Sequence, residues 1–138
     1  MAGKSASITF RMIQDGDEIC QTVTGRYTHK DGEHILAYTD HAGNMHTRVI
    51  LRIGEDSMHM KRIGALQSVW LFKMGTPYLT DYRTPFGNML LEIRTQLYRC
   101  SWEEEIRVHL EYDLYQDGSR AARNVMYITI VPEKEKTF

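Results

Sequence analysis

The stretch Ile106–Leu114 reads IRVHLEYDL, and its apolar and polar residues alternate without a break. Successive side chains of a β-strand point to opposite faces, so this spacing predicts a strand with one buried and one solvated face. Asp117-Gly118 then predicts a tight turn, after which the chain returns as a strand from Asn124 to Val131. Before this stretch in the sequence, another alternating segment predicts a long strand. Its apolar face carries Met89, Leu91, Ile93, Thr95 and Leu97.

The same period of two extends along almost the whole chain, and no long amphipathic helix is predicted. Short turns rich in Asp and Gly separate the alternating segments, which number about ten. Turns are predicted at Asp15-Gly16-Asp17, Lys30-Asp31-Gly32, Asp40 to Asn44 and Gly54-Glu55-Asp56. Further strands are predicted at Ser7–Ile13, Glu18–Tyr27, Ile35–Tyr38, His46–Ile53, Ser57–Ile63, Leu66–Met74 and Trp102–Tyr115.

The predicted fold class is all-β, with an antiparallel up-and-down β-barrel of about 8–10 strands. Connections this short favour a meander over long crossovers, and closing the meander removes its exposed edges. A sandwich of two sheets is the alternative. We expect a single barrel domain over residues 1–138, with an ordered core at about residues 7–132 and a short charged tail that begins at Glu133.

Length and composition are those of a soluble globular domain: 138 residues, 42% hydrophobic, 25% charged and a formal net charge of −1. This charge makes a nucleic-acid partner unlikely on composition, since such proteins usually rely on a strongly basic surface. Neither a bilayer-length apolar segment nor a secretory signal is found, which predicts a cytoplasmic protein with no membrane association. Cys20 and Cys100 are then expected to be free, buried thiols.

A turn-forming block, Tyr82-Arg83-Thr84-Pro85-Phe86-Gly87, interrupts the strand pattern. Proline fixes one backbone angle and removes a hydrogen-bond donor, and the following Gly relaxes that restriction. The block therefore predicts either a bend of the barrel or the rim of a binding mouth.

Several short motifs follow one another in a fixed order over roughly Ile8 to Val131. They are Gly25-x-Tyr27, Tyr38, Thr47, Lys61-Arg62-Ile63-Gly64, Phe72, the Tyr82–Gly87 block, Leu91-Glu92-Ile93-Arg94-Thr95 and Tyr112-Asp113-Leu114. Their order resembles the YwiB-like family of uncharacterised bacterial proteins. The resemblance implies a calycin-type, lipocalin-like β-barrel and no assigned activity. The family pattern usually has Tyr at the position of Phe86.

A candidate ligand site follows from the polar groups that share the apolar face. If Met58 and Met60 point inward, Arg62 does too. An inward guanidinium matches a carboxylate or phosphate, and tyrosine hydroxyls around it suit a small anionic or amphipathic molecule. The predicted ligand-binding residues are Arg62, Tyr82, Thr84, Thr95 and Tyr112, with Trp70 as apolar lining. The alternative is that these groups satisfy one another and plug the barrel.

Metal and catalytic sites are weakly indicated. His41 and His46 flank a turn and are expected to meet, with His34 nearby, but no third residue completes a metal site. Neither a cofactor nor a catalytic motif is predicted, although Asp81 and Glu92 are each of a type that can act as a general base. We favour a non-enzymatic binding protein over an enzyme that acts at the barrel mouth.

The outer face of the barrel offers the other functional hypothesis, an interaction module for RNA or a protein. Outward basic residues could form a stripe, with Tyr98 and Trp70 available for stacking on bases. Glu92, Glu105 and Glu111 interleave with these residues and favour instead a solvated face with cross-strand charge pairs. Separately, packing of exposed strands would permit a homodimer. The basic residues are Arg48, Arg52, Lys61, Arg94, Arg99 and Arg107.

Overall fold

The protein is described by a computed structural model over residues 3–41 and 46–133, and within these ranges it forms ten strands in one sheet. Most of the predicted turn at 40–44, and the charged tail beyond Glu133, lie outside the described residues. The strands are β1 (Lys4–Gln14), β2 (Asp17–Lys30), β3 (Glu33–Asp40), β4 (Thr47–Ile53), β5 (Ser57–Gly64), β6 (Ser68–Lys73), β7 (Tyr78–Thr84), β8 (Gly87–Trp102), β9 (Ile106–Gln116) and β10 (Ser119–Pro132).

All neighbouring strands of the sheet are antiparallel, in the order β6-β5-β4-β3-β2-β1-β10-β9-β8-β7. The first and last strands pair along their length, from Ala6 opposite Pro132 to Gln14 opposite Asn124. The sheet curls until β6 approaches β7, so the molecule is a nearly closed barrel. The predicted fold class is confirmed, and the sandwich alternative is wrong.

The approach of β6 to β7, which we call the seam, is closed by a few contacts instead of a ladder. Gln67 and Arg83 exchange two backbone hydrogen bonds of 2.9 Å at one end of the seam. At the other end, Met74 forms a parallel bridge with Thr95 of β8.

Three Asp-Gly pairs make the tight turns at 15–16, 31–32 and 117–118. All six residues have positive φ, from 48° at Asp15 to 92° at Gly16, as a two-residue hairpin turn of type I′ requires. Asp tolerates this conformation better than most residues and Gly adopts it freely. The sequence predictions of these turns are confirmed.

The alternation places one apolar face of every strand inside the barrel. Side chains with no exposed surface include Leu36, Leu51, Met58 and Phe72, which belong to four different strands. We call the end of the barrel with the turns at 31–32, 54–56 and 103–105 the apolar end. The opposite end, with the turns at 15–16, 65–67, 85–86 and 117–118, is the polar end.

Long strand β8 departs from the predicted pattern at its middle. The register with β9 shifts between Thr95 and Leu97, so Gln96 is an extra residue in a β-bulge. Beyond the bulge Tyr98 points inward, opposite Leu110, and it is buried. The prediction that Leu97 shares the inner face was therefore wrong, because a bulge shifts the alternation by one.

The two cysteines are both free, as predicted, but they differ in exposure. Cys100 is half-buried, and burial raises the pKa of its thiol. Cys20 is exposed on β2, so the prediction that it is buried was wrong. Strand β2 is solvated on both faces around this position, since Glu18, Ile19 and Gln21 are exposed as well.

Candidate functional site

Arg62 enters the barrel because it lies two residues after Met60 on β5. Met58 and Met60 are buried, Lys61 is exposed and Arg62 is half-buried, as the alternation predicts. Its neighbours in register are Val49 on β4 and Ser68 on β6. The side chain therefore starts from the inner face near the polar end.

Aromatic rings surround the guanidinium of Arg62. Its Cζ atom lies 5.2 Å from the centroid of the Trp70 ring and 5.9 Å from that of Tyr82. Trp70 in turn meets Tyr82 edge-on, with centroids 5.8 Å apart, and Tyr112 with centroids 6.4 Å apart. These cation–π contacts hold the cation over ring faces and leave its N–H edge for hydrogen bonds.

The Nη1 atom of Arg62 is buried and has no hydrogen-bond partner among the described residues. No carboxylate of the described chain forms an ion pair with this guanidinium. A buried polar group without a partner costs about 1–3 kcal/mol, and more when it is charged. This arrangement is therefore unfavourable unless another group satisfies the donor.

Further buried polar atoms without partners lie on the same inner face. Ser68 stands opposite Arg62, while Thr95 and Asn124 stand opposite Tyr112 on the two strands that flank it. Because Tyr112 also contacts Trp70, the two groups of polar atoms belong to one polar region. The atoms are Ser68 Oγ, Trp70 Nε1, Thr95 Oγ1 and Asn124 Oδ1.

The buried Tyr112 and the half-buried Tyr38 both respond to the electrostatics of this region. Burial raises the pKa of Tyr112 to about 12, although the positive charge of Arg62 acts in the opposite direction. Burial likewise raises the pKa of Tyr38 to about 12; Arg62 lowers it, and the carboxylate of Asp40 raises it. Both phenols are therefore neutral near pH 7 and can act as donors.

The structure brings five of the six predicted site residues into this polar region. Arg62, Trp70, Tyr82 and Tyr112 are joined by ring contacts, and Thr95 stands beside Tyr112. The sixth, Thr84, lies on the inner side of β7, but its hydroxyl is used by the turn. It donates to the carbonyl of Gly87 over 2.7 Å and accepts the N–H of Phe86 over 3.1 Å. Ligand binding by these residues stays a prediction.

The turn after Thr84 is a shaped bend of the barrel with an exposed tip. Phe86 is 93% exposed, and Gly87 has a φ of 131°. The bend orients the end of β7, so that Tyr82 faces Arg62 while Phe86 does not.

Sequence reasoning missed three members of the polar region: Tyr38, Ser68 and Asn124. Ser68 precedes Trp70 and Phe72 by two and four residues, so alternation alone indicates its face. The inward direction of Asn124 was not indicated in the same way, because the predicted strand began at this residue and no strand residue preceded it. Tyr38 was noted in the family motif, but its proximity to Arg62 depends on the register of β3, β4 and β5.

The histidines form two separate groups. His41 and His46 meet as predicted, with 2.8 Å between their Nδ1 atoms. The expectation that His34 lies nearby was wrong: it is the second residue of β3 and lies at the apolar end, where it contacts Tyr27 and Trp102. Within residues 3–41 and 46–133 no three His, Cys, Asp or Glu side chains are grouped to hold a metal ion.

The outer face carries charge pairs, but Glu92, Glu105 and Glu111 do not pair across strands as predicted. Each of them contacts a residue two positions away along the chain: Arg94, Arg107 and His109 respectively. Arg52 pairs with Glu33 across strands, and Arg94 pairs with Glu92 along one strand. The proposed stacking residues do not lie on this face, since Tyr98 and Trp70 are only 6% and 5% exposed. That part of the RNA hypothesis was wrong, because both aromatic rings belong to the core.

Of the two residues considered as general bases, each pairs with an arginine on the outer side of the barrel. Asp81 is bound to Arg83 over 3.2 Å, and Glu92 is bound to Arg94. Neither carboxylate is directed at the polar region inside.

These features define a class: a ten-stranded, nearly closed, antiparallel β-barrel with an apolar core and one polar end. The chain belongs to the family described as Domain of unknown function (DUF1934), whose model matches residues 6–128. The crystal structure of ywiB protein from Bacillus subtilis has the same fold, with a TM-score of 0.84 at 20% identity over 95% of this chain and 93% of that one. The predicted resemblance is thus confirmed.

Two negative findings accompany this assignment. Comparison with curated proteins gives no match. Across the described residues, no helix has the length and apolarity that crossing a membrane would require.

Proposed function

We propose that this barrel is a non-enzymatic binding protein for a small carboxylate, which it holds in the polar region around Arg62. The observation that carries the proposal is the buried Nη1 atom of Arg62, which lacks a partner among the described residues. A carboxylate would supply both the missing acceptor and the missing counter-charge.

The chemistry of the neighbouring atoms favours an anion with a single charge. Among the unpartnered atoms of this region, Arg62 Nη1 and Trp70 Nε1 are donors only, and the hydroxyls of Ser68 and Thr95 can also donate; Asn124 Oδ1 alone is solely an acceptor. One guanidinium balances one negative charge. A planar carboxylate matches the fork of an arginine, and the ring faces of Trp70 and Tyr82 would cover its flanks.

The alternative, a polar plug, predicts that these groups satisfy one another. The atoms named above do not, which is why the ligand hypothesis is preferred. The two hypotheses also differ in what Arg62 contributes to stability. Replacing the half-buried Arg62 by an apolar side chain removes the cost of its unpaired Nη1 atom, whereas breaking a satisfied buried network is strongly destabilising.

The test compares wild type with Arg62→Met, and uses Arg48→Met as the control because Arg48 is exposed on the adjacent strand. Isothermal titration calorimetry with sodium butanoate and with butan-1-ol separates recognition of charge from burial of the alkyl chain. We expect butanoate to bind and butanol not to bind. Arg62→Met should weaken butanoate binding at least tenfold, and Arg48→Met should leave it unchanged.

Thermal unfolding of the same variants decides between ligand site and plug. The ligand site predicts that Arg62→Met unfolds at the wild-type temperature or above it. A large fall in melting temperature for Arg62→Met, together with no butanoate binding by wild type, would establish the plug and refute the proposal.

A further inference from the structure

The seam carries a groove of about 490 Å³ that opens on the outer face of the barrel. Residues with inward positions border its floor, among them Arg62, Ser68 and Thr80. Residues with outward positions form its sides. The groove therefore adjoins the strand segments that carry the candidate site.

The outer sides of this groove are apolar at three positions. Ile63, Val69 and Leu79 are 42%, 40% and 62% exposed, and they come from three successive strands. Grouped exposed apolar side chains commonly mark a binding surface. The charged residues Lys61, Asp81 and Arg83 also line the groove, and Arg83 is paired with Asp81.

The barrel interior beyond the Trp70 ring is occupied by packed side chains. Phe72, Met58 and Leu51 have no exposed surface, and Phe72 contacts Tyr112 with ring centroids 4.8 Å apart. A close-packed core accepts added methylene groups only with strain. An alkyl chain attached to a carboxylate at Arg62 therefore has little room toward the apolar end.

The seam, by contrast, is held by few bonds. Among the described residues between the Gln67–Arg83 pair and the Met74–Thr95 bridge, β6 and β7 form no backbone ladder. The hydroxyl of Thr80 donates to the carbonyl of Val69 over 2.7 Å and takes the place of a ladder bond. Parting the strands here breaks one hydrogen bond, worth roughly 1 kcal/mol, together with side-chain contacts such as that between Trp70 and Tyr82.

Building on the proposed function, we infer that the ligand is an amphipathic carboxylate bound with its head inside and its chain outside. The carboxylate lies against Arg62, and the apolar chain leaves the barrel through the seam. The chain then lies in the groove between Val69 and Leu79. The head is recognised by charge, and the chain is recognised by the apolar sides of the groove.

Calorimetry with a series of linear carboxylates, from butanoate to decanoate, tests this assignment on the full chain. Complete burial of a methylene group tightens binding about fourfold, so a chain covered on one side should gain roughly twofold per methylene. Decanol, which has the chain without the charge, serves as the uncharged probe.

Leu79→Ser is the informative variant and Leu90→Ser is its matched control. The two leucines are 62% and 61% exposed, but Leu90 does not line the groove. We expect Leu79→Ser to weaken decanoate binding roughly tenfold and to leave butanoate binding within about twofold. Leu90→Ser should change neither.

The outcomes separate this inference from the proposed function. Equal effects of Leu79→Ser and Leu90→Ser, or no gain with chain length, would overturn the groove assignment while butanoate still bound through Arg62. The proposed function itself would be refuted if wild type bound no carboxylate, or if Arg62→Met bound butanoate as tightly as wild type does.

Discussion

At the scale of single residues, His34 is a buried titratable group at the apolar end. Its Nδ1 atom lies 2.8 Å from the hydroxyl of Tyr27, its ring stacks on His29 and the edge of Trp102 packs against it. Burial lowers the pKa of His34, and the neighbouring His29 lowers it further. Because burial raises the pKa of Tyr27, its phenol stays protonated and can donate to Nδ1 of the imidazole in the tautomer that carries its proton on Nε2.

This arrangement predicts a loss of stability in mild acid. The unfolded chain binds a proton at His34 more readily than the folded protein does, so the free energy of unfolding decreases as pH falls below about 6.5. His34→Gln should reduce this decrease, since it removes the titrating group. Urea unfolding of wild type and variant, at about pH 7.5 and about pH 5.5, measures the difference.

The exposed His59 on β5 provides the control for that experiment. His59→Gln should retain the pH dependence of wild type. If His34→Gln and His59→Gln gave the same pH dependence, the assignment of the acid sensitivity to His34 would be wrong.

The inward position of Arg62 could be predicted from the sequence, because Met58 and Met60 fix the face of the strand. Its surroundings could not. Trp70 follows after a turn, Tyr82 lies across the seam and Tyr112 lies on β9, so their contacts depend on how the sheet curls. The role of the Thr84 hydroxyl in the turn could not be predicted either, because side-chain alternation indicates which face a residue is on but not which group its hydroxyl bonds.

At the scale of the element, Gly25 sets how closely β2 can approach β3. A Cβ atom at this position would lie 2.6 Å from the carbonyl oxygen of Ala37 and 3.1 Å from Cβ of Tyr38. Both neighbours belong to β3, and Tyr38 borders the polar region. The backbone atom cannot move without disturbing the β2–β3 ladder.

Gly25→Ala should therefore destabilise the protein by about 1–3 kcal/mol, as overpacking of a core typically does. The neighbouring Thr24 is exposed, and Thr24→Ala should change the free energy of unfolding by about 0.5 kcal/mol or less. Chemical denaturation of both variants provides the measurement. A Gly25→Ala variant as stable as wild type would show that the β3 backbone at Ala37 can shift to make room for the added methyl group.

The bulge in β8 marks the limit of pattern-based prediction for elements. Strands and Asp-Gly turns follow from local sequence, because side-chain alternation and positive φ are local properties. A bulge depends on a mismatch in residue count between β8 and β9, which no single strand displays. The faces of Leu97 and Tyr98 were consequently assigned wrongly while those of Leu91 and Ile93 were right.

At the scale of the whole molecule, the barrel is strong where β1 meets β10 and weak at the seam. Thr80→Val removes the hydroxyl that bonds to Val69 and leaves the carbonyl of Val69 without this donor. Amide hydrogen exchange should accelerate in β6 and β7, with little change in β1 and β10. Thr39→Val, at an exposed position of β3, is the control and should leave both regions as in wild type. Uniform acceleration across all strands would contradict a local role for this bond.

The pairing of β1 with β10 has a consequence for how the chain could be rearranged. The N–H of Glu133 donates to the carbonyl of Ser5 over 2.8 Å, so the outer limits of the first and last strands lie side by side. The weakest junction of the sheet instead falls between consecutive strands, around Gly75. A circular permutant opened there, with its original ends joined, would keep every ladder and become a simple meander from β7 to β6. Its strand pairs would all be sequence neighbours, and this lower contact order should make it fold faster than the native chain.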